Sequence, residues 1–323
     1  MDIAAFDIAS AVSRARERLG GDVVRTPLGE SPKLSLLTGA DVFIKWENRQ
    51  TTGSFKLRGA LSKIRILTPA ERAGGVLAAS TGNHGLGVAQ AARIEGLEAI
   101  LFLPRSAAPE KVEKLRRTGI EIKLRGASCD QAEKIARREA RLCGRTYISP
   151  YNDLDVVAGQ GTIGLEILED LPLVADFIVP VGGGGLIAGI AAAVKSRSPG
   201  VRVFGAEPAA SSFMKASLSA GRLIAIREGK TLADAVAGGI EPGSVTFPLC
   251  RRFIDGILTV GENFLVRSIR LIHDLHGETV EPAGALPLAA LLKYAPRFAG
   301  RAVVLVASGG NIAPARLARI LAV

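Results

Sequence analysis

Short β-branched runs alternate with helix-length amphipathic stretches along most of the chain. Glycine or proline closes many of the helices, and several strands run straight into glycine-rich turns. These observations predict an α/β protein whose mostly parallel sheets carry helices on both faces. Its 323 residues suffice for two such domains. With 48% hydrophobic and 22% charged residues, the composition is that of a folded globular chain rather than a disordered one.

The elements follow from the periodicity and its stop signals. An amphipathic helix over 10–19 opens the pattern, and the β-branched run 41–47 is a strand. A helix over 55–67 ends before Pro69, strand 75–80 follows, and a helix over 84–95 stops at Gly96. Strand 99–103, helix 109–118 stopped by Gly119, strand 121–124, helix 129–143 stopped by Gly144 and strand 146–148 complete a first block. The second block holds helix 161–169, strand 176–181, helix 186–196, strand 202–206, helices 262–276 and 284–295, strand 302–306 and a last helix over 313–321. The turn-rich stretch 149–155 separates the blocks, and no internal repeat is present.

The 41 basic against 31 acidic side chains give a formal charge of +10. The basic residues are scattered along helical faces beside glutamates, and only 5% of residues are aromatic, so a nucleic-acid partner is not expected. Three cysteines without a Cys-x-x-Cys pair imply neither a zinc site nor a disulfide framework, and point to a reducing cytoplasm. The start of the chain lacks the basic-then-apolar form of a signal peptide, and no long uninterrupted apolar run suggests a membrane span.

Ligands of open α/β sheets bind at the carboxyl ends of strands, so the strand-to-helix turns hold the chemistry. The longest glycine run, Gly182, Gly183, Gly184 and Gly185, joins an apolar strand to an apolar helix beginning at Leu186. Glycine lets backbone approach a ligand closely, and a helix start offers unpaired N–H groups and a positive dipole end, which suits a phosphate. The same run satisfies the dinucleotide pattern through Gly183, Gly185 and Ala188, with Glu207 about twenty residues on. A nicotinamide-dependent dehydrogenase therefore stays open at this point.

A second turn, Thr51-Thr52-Gly53-Ser54-Phe55-Lys56, sets a lysine at a helix start. The dipole disfavours a cation there, by roughly 0.3–1 kcal/mol, and so favours the neutral amine that a Schiff-base lysine needs. A third, Ser80-Thr81-Gly82-Asn83-His84, gathers hydroxyls, an amide and helix-start N–H groups suited to a carboxylate, although Asn83 could serve only as a helix cap. A fourth, Ser308-Gly309-Gly310-Asn311, offers a neutral hydroxyl. A dehydrogenase has no use for the second and fourth turns. A phosphorylated aldehyde cofactor uses all four, which points to pyridoxal 5'-phosphate.

Six ordered motifs (47–60, 80–85, 159–162, 182–186, 281–285 and 308–311) carry a resemblance that covers nearly the whole chain. On them the chain resembles the threonine/serine dehydratase and serine racemase family, fold type II of the pyridoxal phosphate enzymes. The resemblance implies a tryptophan synthase beta-like fold of two three-layer α/β domains. A large cofactor-binding domain would span 1–52 and 153–323, a small substrate-side domain 53–152, with the active site between them. It implies Lys56 as the cofactor-carrying catalytic residue, Phe55 beside the ring and Asn83 on the ring's 3-hydroxyl. Gly182, Gly183, Gly184, Gly185 and Leu186 would cradle the phosphate, Ser308 would meet the pyridine nitrogen, and Glu281 would lie near the cofactor. Ser80, Thr81, Asn83 and His84 would line the substrate-carboxylate pocket.

The implied reaction is loss of water from a β-hydroxy amino acid (L-threonine, L-serine or 3-hydroxyaspartate), giving a 2-oxo acid and ammonia. Racemisation is the alternative within the family, and a homodimer is implied. Two residues depart from the racemases of eukaryotic type. Thr81 stands where they carry a serine acid/base, and Phe213 stands where the aspartate of their cation site is expected, with Ser211 at the carbonyl position and Glu207 matching the glutamate. A phenyl ring cannot ligate a hard cation, so the cation site is expected to be lost or altered, and no metal ligand is assigned. The chain ends soon after Asn311, and a C-terminal regulatory domain with feedback control is not expected.

Overall fold

The computed structural model describes residues 6–322, and positions 1–5, the start of the stretch read above for a signal peptide, lie outside the described residues. In chain order the first elements are α1 (Ile8–Leu19), β1 (Leu28–Glu30), α2 (Pro32–Thr38), β2 (Asp41–Trp46), α3 (Lys56–Ile64) and α4 (Pro69–Gly74). Next come β3 (Val76–Ala79), α5 (Asn83–Glu95), β4 (Ala99–Leu103), α6 (Pro109–Arg116), β5 (Glu121–Leu124), α7 (Cys129–Leu142) and β6 (Thr146–Tyr147). Then follow α8 (Leu154–Asp170), β7 (Asp176–Pro180), α9 (Gly185–Arg197), β8 (Arg202–Pro208), α10 (Phe213–Ala220), α11 (Thr246–Phe253) and β9 (Gly256–Val260). The chain closes with α12 (Glu262–His276), α13 (Pro282–Lys293), β10 (Ala302–Ala307) and α14 (Pro314–Leu321).

Two sheets result. One has six strands in the order β1-β2-β10-β7-β8-β9, the other four in the order β5-β4-β3-β6. Every neighbouring pair is parallel except β1 with β2. Strands β4 and β7 are buried along their whole length, as continuous apolar strands covered on both faces must be. On the six-stranded sheet one apolar cluster packs α1, α8 and α9, and another packs α12 and α13 on the opposite face. The four-stranded sheet carries α3 and α5 on one face and α7 on the other. Both sheets are therefore three-layered.

The last strand, β10, inserts between β2 and β7. That single placement brings the turns after β2, β7 and β10 to one edge of one sheet, the edge where α/β folds bind ligands. All four glycine turns identified above lie at strand ends.

Most predicted elements are present with small changes of boundary. The largest difference is α8, which starts at Leu154 rather than 161, with Asp153 capping the N–H groups of Asp155 and Val156. Gly159 and Gly161 lie inside this helix and allow close crossings: a Cβ on Gly159 would lie 2.6 Å from the Arg58 carbonyl oxygen. The elements β1, α2, α4, α10, α11 and β9 have no counterpart in the sequence reading. They are short, or, like β9, a half-exposed edge strand, and short elements give weak periodicity.

The crossing of α8 and α9 gives a direct test. A Cβ on Gly189 would lie 2.2 Å from the Val157 carbonyl oxygen, so the two helices must separate to admit it. Gly189→Ala is expected to lower stability by about 1–3 kcal/mol, read as a lower urea midpoint at unchanged slope.

Candidate active site

Four turns from the two sheets converge on one cavity of about 790 Å³. The Lys56 turn leaves β2, the glycine turn leaves β7 and the Ser308 turn leaves β10, while the Ser80 turn leaves β3 of the other sheet. Every residue proposed from the sequence for cofactor or substrate lines this cavity: Phe55, Lys56, Ser80, Thr81, Asn83, His84, Gly182, Gly183, Gly184, Gly185, Leu186, Glu281 and Ser308.

Lys56 opens α3, whose start has no side-chain cap. Its turn is tied to the Ser308 turn by the Phe55 N–H donating to the Ser308 carbonyl at 3.1 Å and by a bridge between Ser54 and Gly309. The ε-amine donates to the Pro150 carbonyl at 2.8 Å. Burial pushes this amine down to about 8, and the nearby Glu281 carboxyl only partly counters that. A lysine in this state is a usable base near neutral pH.

The glycine turn is built from behind. Thr246 Oγ1 donates to the Gly183 carbonyl at 2.6 Å, and Cys250 Sγ contacts the Gly184 carbonyl at 3.9 Å. Gly184 has φ +87, in the left-handed region that only glycine enters freely. Gly183 lies flat on Tyr151, where a Cβ would come within 2.4 Å of the ring. With these carbonyls engaged by the protein, the first N–H groups of α9, which have no intrahelical partner, remain for an anion.

At the far side Asn83 donates to Glu281 Oε1 at 2.6 Å and accepts from Asn311 Nδ2 at 2.7 Å. Burial pushes the Glu281 carboxyl up to about 7, with the Asn83 hydrogen bond acting against the rise. Ser80 Oγ accepts from the Gly82 N–H at 3.1 Å. His84 donates through Nε2 to the Ile148 carbonyl at 2.9 Å. Burial first and the Lys56 charge second push its imidazole down to about 3, so it is a neutral wall of the cavity rather than a base.

Glu207 is committed elsewhere. Its two carboxylate oxygens accept from the Met214 and Lys215 N–H groups, at 2.9 and 3.0 Å, and so cap the start of α10. Burial raises this carboxyl to about 7 in spite of those bonds. Phe213 is buried as the first residue of α10, and Ser211 Oγ accepts from the Gly238 N–H. Among the described residues no group of three or more His, Cys, Asp or Glu side chains could hold a metal ion.

The sequence reading missed Tyr151, Pro150, Thr246, Asn311 as a partner of Asn83, and Val236, which packs on Gly182. Tyr151 and Pro150 follow β6 in the stretch taken only as a boundary. Their place at a strand end was the available signal.

A family model described as pyridoxal-phosphate dependent enzyme matches residues 20–309. The chain belongs to that family. It is 42% identical over 310 residues to an L-threonine ammonia-lyase of Thermotoga maritima, covering 96% of this chain and 77% of the relative. Among solved structures it is similar to maize serine racemase, with TM-score 0.90, 32% identity and 96% of each chain covered. It is also similar to the processed form of threonine deaminase isoform 2 from Solanum lycopersicum, with TM-score 0.92, 31% identity, and 99% and 93% of the two chains covered. The fold is that of fold type II, and the chain is a pyridoxal-phosphate-dependent ammonia-lyase. Family membership decides between the two cofactors that the glycine run left open. The cavity's donor set suits pyridoxal phosphate: a desolvated amine, a helix start whose loop carbonyls are engaged from behind, and a neutral hydroxyl at Ser308. No helix among the described residues is long and apolar enough to cross a membrane.

The depressed amine is directly measurable. In cofactor-free protein, Lys56 is expected to react with an amine-selective acylating reagent with a pH midpoint near 8. A midpoint in the ordinary lysine range, read by mass spectrometry of the Lys56 peptide, would contradict the desolvated setting.

Proposed function

We propose that this chain eliminates water from L-threonine or L-serine, releasing a 2-oxo acid and ammonia, with Lys56 as the cofactor-carrying lysine and base. The observation that carries the reading is the shared cavity, in which a desolvated amine from one turn faces a glycine-lined helix start from another. The names of the relatives support the substrate class. When bound, pyridoxal phosphate supplies an aldehyde for the substrate amine and a ring that draws electron density from Cα.

The residues then have separate tasks. Gly182, Gly183, Gly184 and Gly185, with Leu186 at the start of α9, hold the phosphate by backbone N–H groups and the helix dipole. Asn83, itself held between Glu281 and Asn311, would orient the ring through its 3-hydroxyl. Phe55 would pack beside the ring. Ser80, Thr81, Asn83 and the neutral His84 seat the substrate carboxylate. Lys56 takes the proton from Cα as an amine that burial keeps available near neutral pH. Ser308 would offer the pyridine nitrogen a neutral hydroxyl, a weaker aid to electron withdrawal than a carboxylate in its place.

The domain division belongs to the same proposal. Strands β3 to β6 all lie within 53–152, and the strands of the six-stranded sheet lie within 1–52 and 153–323, which supports reading the cavity as lying between a large and a small domain. Racemisation is the second reading, supported by the likeness to serine racemase and by the Thr81 hydroxyl on the cavity wall. Free thiols at Cys129, Cys143 and Cys250 accord with a cytoplasmic site, and a homodimer completes the proposal.

Keto acid and ammonia release should be assayed over a panel of β-hydroxy amino acids that includes both threonine diastereomers and 3-hydroxyaspartate. Turnover of L-threonine or L-serine is expected, and Lys56→Ala should lower it by at least about 10²–10⁴-fold. D-serine formation that outpaces keto acid release, followed by chiral chromatography, would favour the racemase. Ser308→Asp should slow elimination by about tenfold or more and raise side reactions, because a carboxylate strengthens electron withdrawal by the ring. Unchanged partitioning between products would remove that role from Ser308.

A further inference from the structure

Arg58 and Lys45 are the largest fully buried side chains, and the only buried lysine or arginine among the described residues. Neither touches the cofactor cavity, and the reaction above uses neither. Arg58 Nε and Nη2 each donate to Glu47 at 2.9 Å, to Oε2 and Oε1. Its Nη1 and Nη2 donate to the two oxygens of Glu166 at 2.6 and 3.0 Å. The remaining contacts run to Thr162 Oγ1 at 3.2 Å and the Val24 carbonyl at 3.1 Å. Lys45 completes the cluster, donating to Glu166 Oε2 at 2.7 Å and to the Thr26 carbonyl at 2.6 Å. Burial alone would raise the Glu166 carboxyl, but Arg58 and Lys45 more than offset it and hold it below the usual range.

The place of this cluster gives it a task. Arg58 lies two residues after Lys56, so at about 100° per residue the two side chains leave nearly opposite faces of α3. Lys56 lines the cavity, and Arg58 is fastened to the turn after β2 through Glu47, to α8 through Thr162 and Glu166, and to the Val24 carbonyl, with Lys45 of β2 joined to it through Glu166. The start of α3 has no side-chain cap that would otherwise hold it. One residue further on, Gly59 presses on α8, where a Cβ would lie 2.3 Å from Gln160 Nε2. A buried ion cluster is a weak source of stability, since apolar groups of the same volume often serve as well. A planar guanidinium held at every N–H group is, by contrast, a strong orienting device.

We propose that Lys45, Glu47, Arg58 and Glu166 are positioning residues that fix the first turn of α3, and through it the ε-amine of Lys56, against the sheet that carries the glycine and Ser308 turns. The proposal rests on reading Lys56 as the lysine that carries the cofactor. It predicts that loosening the clamp misplaces the base without changing the substrate pocket.

The test compares wild-type holoenzyme with Arg58→Lys, which keeps the charge but loses the fork, and with Thr162→Val, which removes one partner of Arg58 and leaves all four charges. Measured are kcat and KM for L-threonine, the pH dependence of the bound cofactor's visible absorption, and the melting temperature. For Arg58→Lys, kcat is expected to fall by about a hundredfold with KM little changed, and the absorption midpoint to shift, at temperatures well below melting. Thr162→Val should change kcat and the midpoint in the same direction by about threefold or more at near-native melting temperature, and it decides the matter if Arg58→Lys does not fold. Unchanged kcat and midpoint beside a lowered melting temperature would make the cluster purely structural and overturn the proposal. If Lys56→Ala retains the same visible band as wild type, the reading of Lys56 itself fails, a result distinct from failure of the clamp.

Discussion

Keeping the ε-amine of Lys56 out of water destabilises its charged form, and the fold bears that cost because three separate parts of the chain close around the amine. Pro150 supplies the carbonyl that receives it, Phe55 and the Ser308 turn wall one side, and the two sheets meet across the cavity. None of these is near the others in sequence. Phe55 and the Ser308 turn meet because β10 pairs with both β2 and β7, so the end of the chain lies between its beginning and its middle, while Pro150 comes from beyond β6 of the other sheet. The chemistry depends on a topological choice made far from the lysine.

The electrostatic groups around the site differ in their settings. Glu281 and His84 face the cavity, and burial moves both toward neutrality, the carboxyl upward and the imidazole downward. The four turns themselves offer backbone N–H groups, hydroxyls and amides, while Glu110, Lys111, Lys114, Asp234, Arg316 and Arg319 bring charge to other parts of the cavity wall. Charges that stay paired lie behind the site, around Arg58. Glu207 belongs to neither group, because α10 supplies its partners through two backbone N–H groups.

Much of this was legible in the residues themselves. Strands that run into glycine turns announce where an α/β sheet binds its ligand, and the lysine, the glycine run, Asn83 and Ser308 were each found from their own turn. What local pattern could not supply was the packing between distant segments. The first turns of α8 were hidden because they follow directly on the turn-rich stretch 149–155 and contain Gly159 and Gly161, which the helix needs to pass close to α3 and α9. Tyr151 was hidden because its task, supporting Gly183 face-on, exists only once β6 and β7 stand near each other. The Arg58 cluster was hidden for the same reason: its members are spread from position 45 to position 166, and a buried arginine reads in sequence like any surface one.

The most direct test of this account is chemical. Holoenzyme reduced with borohydride and then proteolysed should carry the cofactor's mass on one peptide, the one containing Lys56. A label on a different lysine, or a cofactor released without any covalent trace, would contradict the central claim that this amine is the point of attachment.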